Sequence, residues 1–123
     1  DELSDRLKQS KIAVADHLIM KIRLLLNDMT ISSIDHETSE AAYEALCRAK
    51  KDPAQIDMLR RIEHARWVRF YAYYNWKYGE VKDVVRRENP MICDYDDLTD
   101  SQKAYHDRAW DLIGEIANQL RPD

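Results

Sequence analysis

The sequence contains very little glycine and proline, with 2 and 3 residues respectively in a chain of 123. Sheet-rich domains need more turn-forming residues than this, so the shortage favours helices. No apolar run approaches the roughly 18 residues that suggest a membrane-spanning helix, and the amino terminus shows no signal-like pattern. We therefore expect a cytoplasmic chain without a membrane partner.

Cysteine is also scarce, and recognisable catalytic motifs are missing. The 2 cysteines, Cys47 and Cys93, form no CxxC pair, and with the 4 histidines they lack metal-ligand spacing. There is no P-loop, no GxGxxG and no nucleophile–base motif. The adjacent acids Asp96 and Asp97 are better explained as a loop before a capped helix. We therefore expect no enzyme, cofactor or metal site, and a hydrolase or nuclease has no supporting residues.

The charge is unevenly distributed along the chain. The net charge of −4 disfavours non-specific nucleic-acid binding, which needs a basic surface. From Arg60 to Arg87, eight Lys/Arg against three Asp/Glu give +5, and from Glu88 to Asp111, two against seven give −5. Two interpretations stay open: either two solvated faces of opposite charge attract each other, or the basic segment faces an anionic ligand.

Apolar residues at spacings of three and four predict several helices. The predicted helices run from near Ser10 to near Leu26, from Ser39 to about Lys50, and from Pro53 to about Lys77. We expect Ser39 to cap the second helix and Asp52 to cap the third, where proline suits the first turn. Gly79 is expected to follow the third helix with a positive φ.

A last helix is predicted after Thr99, which forms a capping-box pattern with Gln102. Its predicted core face comprises Tyr105, Ala109, Leu112, Ile113, Ile116 and Leu120. Between Gly79 and Leu98 the periodicity breaks, and loops of that length often serve function. The pattern predicts an all-α chain: one domain over residues 1–123, a compact bundle of about four helices with a long ordered loop between the last two.

The segment from Arg61 to Leu98 holds two of the three tryptophans and the only phenylalanine. Trp67 and Trp76 lie near the end of the third predicted helix, and Tyr78 follows them. Aromatic residues at this density either pack as core or stack against a planar ligand ring. Both interpretations stay open for these residues.

Charged and ionisable residues are also candidates for ligand contacts. Glu63 lies on the apolar stripe of the third helix, where a carboxylate needs partners, either a backbone group or arginine, or a ligand donor. His64 is either a satisfied structural residue or a ligand contact. Arg86 and Arg87 are either solvated loop residues or a bidentate phosphate site.

Several residues between Arg61 and Asp107 match one known pattern of motifs. They are Glu63-His64 with Trp67, Asn75-Trp76 with Tyr78-Gly79, Asp83, Pro90, Tyr95 with Leu98, and Lys103 with Asp107. The pattern resembles the ryanodine-receptor repeat family, in which E-H-x-x-W is followed by G-W-x-Y-G, an Asp, a Pro, an aromatic residue with x-x-L, and K-x-x-x-D. Asn75 stands where the family usually has glycine, and because asparagine tolerates a left-handed backbone we expect the turn to be kept.

The resemblance implies a compact helical fold, with a repeat core at about 56–120 and a preceding helix at about 4–28. The segment from Ser10 to Arg23 is similar to the helix that precedes the repeat in bacterial versions of the domain. Family members in bacteria and phages occur alone or fused to other domains, and are suspected to sense small ligands. We therefore expect this chain to be a sensor module within a larger bacterial or phage protein.

The predicted partner is a small anionic ligand, with nucleotide-derived messengers as the leading class. The predicted ligand-binding residues are Glu63, His64, Trp67, Trp76, Tyr78, Asp83, Arg86, Arg87 and Tyr95. The alternative is a protein-interaction or oligomerisation module, a homodimer among the options, with exposed aromatic residues such as Tyr71, Tyr73 and Trp110 in the interface.

Overall fold

The computed structural model describes residues 17–122, and the regular structure of this part is helical. The helices are α1 (Leu18–Leu26), α2 (His36–Lys50), α3 (Pro53–Tyr73), a 3₁₀ helix (Tyr95–Asp97), α4 (Asp100–Tyr105) and α5 (Asp107–Gln119). The predicted all-α class is confirmed. The predicted helix start near Ser10, and the part of the preceding helix before residue 17, lie outside the described residues.

The chain forms two compact units. The first unit combines Asp1–Ile56 with Arg108–Asp123, of which residues 17–56 and 108–122 are described. The second unit is Asp57–Asp107. Every ligand-binding residue predicted from the sequence belongs to the second unit.

The first unit has a mainly aliphatic core in which α1 packs against α2. Its buried apolar residues are Leu18, Ile22, Ala42, Leu46, Ala49, Trp110, Ile113 and Ala117. Lys21 is buried as well, with its Nζ atom 3.2 Å from Nδ1 of His17 and 5.2 Å from the centroid of the Trp110 ring. Because Trp110 is completely buried, its predicted place in an exposed interface is wrong.

The cap of α2 differs from the prediction. Asp35 is the cap: its Oδ1 accepts the backbone N–H of Thr38 at 2.8 Å, and the Thr38 hydroxyl accepts the backbone N–H of Asp35 at 3.1 Å. Ser39, the predicted cap, is buried inside the helix and donates to the His36 carbonyl oxygen. The reciprocal pair satisfies two backbone donors, so α2 begins about one turn earlier than expected. At α3 the predicted cap Asp52 is confirmed, since its carboxylate accepts a backbone N–H at 3.0 Å.

The end of α3 depends on an asparagine. The helix stops at Tyr73 rather than near Lys77, and Asn75 has a φ of 66° in the left-handed region. The turn expected at Asn75 is therefore kept, as this residue tolerates that conformation better than most. The expectation of a positive φ at Gly79 is wrong, because no glycine within residues 17–122 has one.

The last predicted helix is divided into two. The capping box before it is confirmed, since Thr99 Oγ1 accepts the Gln102 N–H at 3.2 Å and Gln102 Oε1 accepts the Thr99 N–H at 2.9 Å. His106 separates α4 from α5. Tyr105 and Leu120, predicted as core, are 44% and 41% exposed. The buried residues of α5 are Trp110, Ile113 and Ala117, so the predicted core face was partly wrong in register.

Candidate functional site

The core of the second unit is aromatic and contains buried polar side chains. Its buried residues are Leu59, Glu63, His64, Trp67, Trp76, Asn89, Tyr95, Leu98 and His106. α3 supplies four of them from successive turns of one face. Buried polar groups in folded proteins have hydrogen-bond partners, so their partners here decide which of them are free to meet a ligand.

His64 uses both of its ring nitrogens inside this core. Its Nε2 atom lies 2.7 Å from the carbonyl oxygen of Cys93, and its Nδ1 atom lies 2.9 Å from Nε2 of His106. A carbonyl oxygen can only accept, so Nε2 of His64 carries a hydrogen and, in the neutral pair, Nε2 of His106 donates to Nδ1 of His64. Burial, together with His64, lowers the pKa of His106 to about 4. His64 therefore connects α3 to two later segments and offers no ring nitrogen to a ligand in this structure.

Glu63 is committed to an arginine on its own helix. The carboxylate is 2% exposed and accepts from Nε of Arg66 at 2.9 Å and from its Nη2 at 2.6 Å, one bond to each oxygen. A bidentate guanidinium–carboxylate pair supplies the charge partner that a buried carboxylate needs. Of the two interpretations open from the sequence, the contacts fit the satisfied core residue.

The two tryptophans of the predicted site pack against protein side chains. Trp67 is 6% exposed and Trp76 is 4% exposed. The ring centroid of Tyr71 lies 4.6 Å from that of Trp67 and 5.4 Å from that of Trp76, where the two rings meet edge-on. The His64 ring lies nearly parallel to Trp67 at 6.0 Å. Of the two interpretations open from the sequence, these contacts fit packing as core.

Tyr95 fastens the 3₁₀ helix to α3. Its hydroxyl donates to Oδ1 of Asp57 at 2.8 Å, and the guanidinium of Arg61 lies 4.4 Å from the centre of its ring. Arg61 also bonds Asp57 at 2.8 Å and Asp96 at 2.5 Å. Burial and the Asp57 bond raise the pKa of Tyr95 to about 12, while Arg61 and Tyr95 lower the pKa of Asp57. Through these contacts Tyr95 holds the 3₁₀ helix against α3.

The loop after α3 folds back on itself through its backbone. Lys77 N–H donates to the Arg87 carbonyl oxygen, and Asp83 and Glu88 exchange two backbone bonds, all at 2.9 Å. The Asp83 carboxylate accepts the Arg86 N–H at 3.0 Å, so Asp83 shapes the turn. Arg87 has a φ of 56° and donates to a carbonyl oxygen near the end of α3 at 2.9 Å. The Arg86 side chain is 76% exposed, with its Nε atom 4.0 Å from Oδ2 of Asp83.

One open cleft of about 490 Å³ lies within the second unit. It is lined by Tyr78, Pro90, Cys93, Asp97 and Gln102. Tyr78 is 56% exposed despite its large ring, and Asp97 is exposed as well. Burial raises the pKa of the Cys93 thiol, and the carboxylates of Asp97 and Asp94 raise it further, so the thiol stays protonated at neutral pH. The cleft therefore presents a flat ring, a carboxylate, an amide and a neutral thiol.

The predicted site and the cleft share one residue. Of the predicted ligand-binding residues, Tyr78 lines the cleft, while Glu63, His64, Trp67, Trp76 and Tyr95 are buried in the core beside it. Asp97 and Gln102 were interpreted as a loop and a capping residue, and the capping bonds of Gln102 are present. The capping pattern marked the position of Gln102 but gave no signal that this residue also lines a cleft.

Neither a metal centre nor a known relative identifies the site. Within residues 17–122, no group of three or more His, Cys, Asp or Glu side chains could hold a metal ion. Over the same range, none of the helices combines the length and apolar character needed to cross a bilayer.

The chain matches no family model, and comparisons with curated proteins and with solved structures gave no match.

Proposed function

We propose that the second unit, Asp57–Asp107, is a small-ligand-binding module with the cleft as its site. The proposed ligand is nucleotide-derived, and the proposed setting is a cytoplasmic sensor within a larger bacterial or phage protein. The resemblance to the ryanodine-receptor repeat is the reason for this setting. About half of the residues that carry the resemblance are buried in the core of this unit: Glu63, His64, Trp67, Trp76, Tyr95 and Leu98. No catalytic role is part of the proposal.

The observation that carries the proposal is the cleft itself. Its volume of about 490 Å³ falls within the range of about 300–1,000 Å³ that small-ligand sites occupy. A half-exposed tyrosine ring next to a carboxylate and an amide offers stacking and orientation in one place. The surrounding polar residues, such as Glu63 and His64, are already paired within the protein. The cleft residues are therefore the proposed ligand contacts.

The position of the cleft in the chain supports a sensing role. Its lining reaches from Tyr78, before the long loop, to Gln102, after it. A ligand that contacts both ends favours conformations in which this loop is closed against the helices. Binding would then shift a population of conformations, as expected for a sensor.

The phosphate of a nucleotide would have to lie outside the cleft. The lining contains Asp97 and no lysine or arginine, so it would repel an anionic group. Lys82 and Arg86 are exposed cations of the same unit, and Arg86 makes only a 4.0 Å contact with Asp83. These two side chains are the proposed phosphate contacts. Of the two, Arg86 is also one of the ligand-binding residues expected from the sequence.

Thermal unfolding of the 123-residue chain with saturating linear and cyclic nucleotides tests the proposal. A ligand that binds only the native state adds RT ln(1 + [L]/Kd), or about 2.7 kcal/mol at one hundred times Kd, which raises the midpoint by several degrees. Tyr78→Ala should reduce this shift, whereas Tyr73→Ala, a matched change at a tyrosine 81% exposed, should not. The absence of a shift with every nucleotide would remove support for a nucleotide ligand.

A second candidate function is a protein-interaction module that forms a homodimer. Tyr73, Val81 and Val85 are 81%, 75% and 94% exposed, and they would supply the apolar contacts of such an interface. If this function is correct, the mass measured by light scattering rises with protein concentration, and Val85→Ser lowers it. Dimerisation without any ligand response would favour this candidate.

A further inference from the structure

The hydrogen-bonding groups of the cleft indicate which class of ligand it would bind. Asp97 and Gln102 both line it, as does Tyr78. Within residues 17–122 the Asp97 carboxylate has no hydrogen-bond or ion-pair partner, so both of its oxygens can accept. A free carboxylate accepts two parallel N–H bonds from a planar donor pair.

Gln102 contributes a hydrogen-bond donor, whereas Asp97 contributes acceptors. Its Oε1 atom accepts the backbone N–H of Thr99 at 2.9 Å in the capping box. This bond holds the amide plane in place and leaves the NH₂ group as the part that can donate to a ligand. The cleft therefore combines an acceptor pair on Asp97 with a fixed donor on Gln102.

We infer that the cleft recognises a guanine-type ring edge, with Tyr78 as the stacking surface, Asp97 as the acceptor of two N–H groups and Gln102 as the donor to the adjacent carbonyl. This inference rests on the proposed ligand-binding function. Guanine is the common base whose pairing edge has two neighbouring N–H donors beside a carbonyl acceptor. Adenine and cytosine each place a ring nitrogen lone pair next to their amino group, which would face the Asp97 carboxylate.

The local charge supports a donor-rich ligand over an acceptor-rich one. The lining of the cleft contains the acidic residue Asp97 and no lysine or arginine. A negative potential at the cleft favours N–H edges and disfavours phosphate inside it. A free guanidinium compound has the same donor pair as guanine, but it has no acceptor for the Gln102 amide. The Gln102 donor is therefore the group that selects the base.

Calorimetric titration of the 123-residue chain with guanosine, inosine, adenosine and methylguanidinium tests the inference. Inosine keeps the carbonyl and the ring N–H but lacks the exocyclic amine. Guanosine should bind at least about fivefold more tightly than inosine or adenosine, the lower end of the base discrimination that one good bidentate contact gives. Methylguanidinium should bind more weakly than guanosine.

Two substitutions test the residues. Asp97→Asn should abolish the preference for guanosine over inosine, while the matched control Asp94→Asn should keep it, because the Asp94 side chain makes no capping bond and does not line the cleft. Gln102→Glu keeps an oxygen for the Thr99 cap and removes the amide donor, so guanosine affinity should fall while the unfolding midpoint without ligand changes little.

The outcomes separate the inference from the function on which it rests. Equal binding of guanosine, inosine and adenosine, reduced by Tyr78→Ala, would overturn the guanine assignment and keep the ligand-binding cleft. Methylguanidinium binding as tightly as guanosine would overturn the role of Gln102 and with it the choice of a base. A chain that binds no nucleoside and no nucleotide would overturn both.

Discussion

The Nδ1 atom of His64 lies 2.9 Å from the Nε2 atom of His106, in a core where the two residues are 4% and 2% exposed. The two histidines are 42 residues apart in sequence, and the carbonyl oxygen of Cys93 completes the chain of bonds. This network joins the middle of α3 to the residues on both sides of α4. Burial disfavours the charged form of the His106 ring in this network and keeps its pKa low.

Acid should destabilise the second unit through His106. Its pKa is lowered to about 4 from an ordinary value of 6.5, so between these values the unfolded chain binds the proton and the folded chain does not. Stability from this histidine is complete above pH 6.5 and is lost as the pH falls towards 4, by up to about 3 kcal/mol. Urea denaturation at pH 7 and pH 5 measures the change. His106→Gln should show a smaller pH dependence than the wild-type chain.

Arg66 should matter far more to stability than its neighbour Arg69. Arg66→Ala removes the bidentate partner of the buried Glu63 carboxylate, and breaking a buried pair in this way costs about 3–5 kcal/mol. Arg69 is exposed on the same helix, so Arg69→Ala should change the free energy of unfolding by less than about 0.5 kcal/mol. Equal effects in chemical denaturation would show that the Glu63–Arg66 pair does not stabilise this core.

Gly79 allows two loop segments to approach closely. A Cβ atom at this position would lie 2.5 Å from Cβ of Glu88, a distance that real Cβ atoms do not reach. Gly79→Ala should therefore push the segments apart and destabilise the unit by about 1–3 kcal/mol. Glu88→Gly removes the colliding atom, so the double variant should be more stable than the sum of the two single changes predicts. Additive free energies in this double-mutant cycle would contradict the close approach.

Truncation of Trp76 should lower the stability of the fold, whereas truncation of Tyr78 should lower the affinity for ligand. Trp76 is 4% exposed, and Trp76→Ala should cost about 3–5 kcal/mol of folding free energy. Tyr78 is 56% exposed, and Tyr78→Ala should change stability by less than about 0.5 kcal/mol while reducing ligand affinity by about 5- to 150-fold, the usual range for loss of a stacked base. A stable Trp76→Ala chain that no longer binds ligand would show that Trp76 belongs to the binding site and is not needed for the core.

Features that depend on a few neighbouring residues could be predicted from the sequence. The caps at Asp52 and at Thr99 with Gln102 were predicted because a capping side chain bonds backbone groups only two or three residues away. The α2 cap was misplaced because Ser39 and Asp35 are both good capping residues. The sequence alone did not reveal that the hydroxyl of Thr38 would complete a reciprocal pair with Asp35.

Features that depend on distant residues could not be predicted in the same way. The pattern placed His64 on a packed face of α3, but nothing local indicated that His106 would lie against it. Trp110 was assigned to the surface because the register of α5 depends on the break at His106. The cleft combines Tyr78 with Asp97 and Gln102, and this depends on how the long loop folds back rather than on any motif.

Mapping of backbone amide resonances by NMR tests the proposed site most directly. The 123-residue chain would be titrated with guanosine 5′-monophosphate and, separately, with the nucleotide that gives the largest thermal shift. We expect the amide resonances of Tyr78, Cys93, Asp97 and Gln102 to move together and saturate, while those of α1 and α2 in the first unit stay in place. Saturating shifts confined to the first unit, or no shifts with either ligand, would contradict the proposed site.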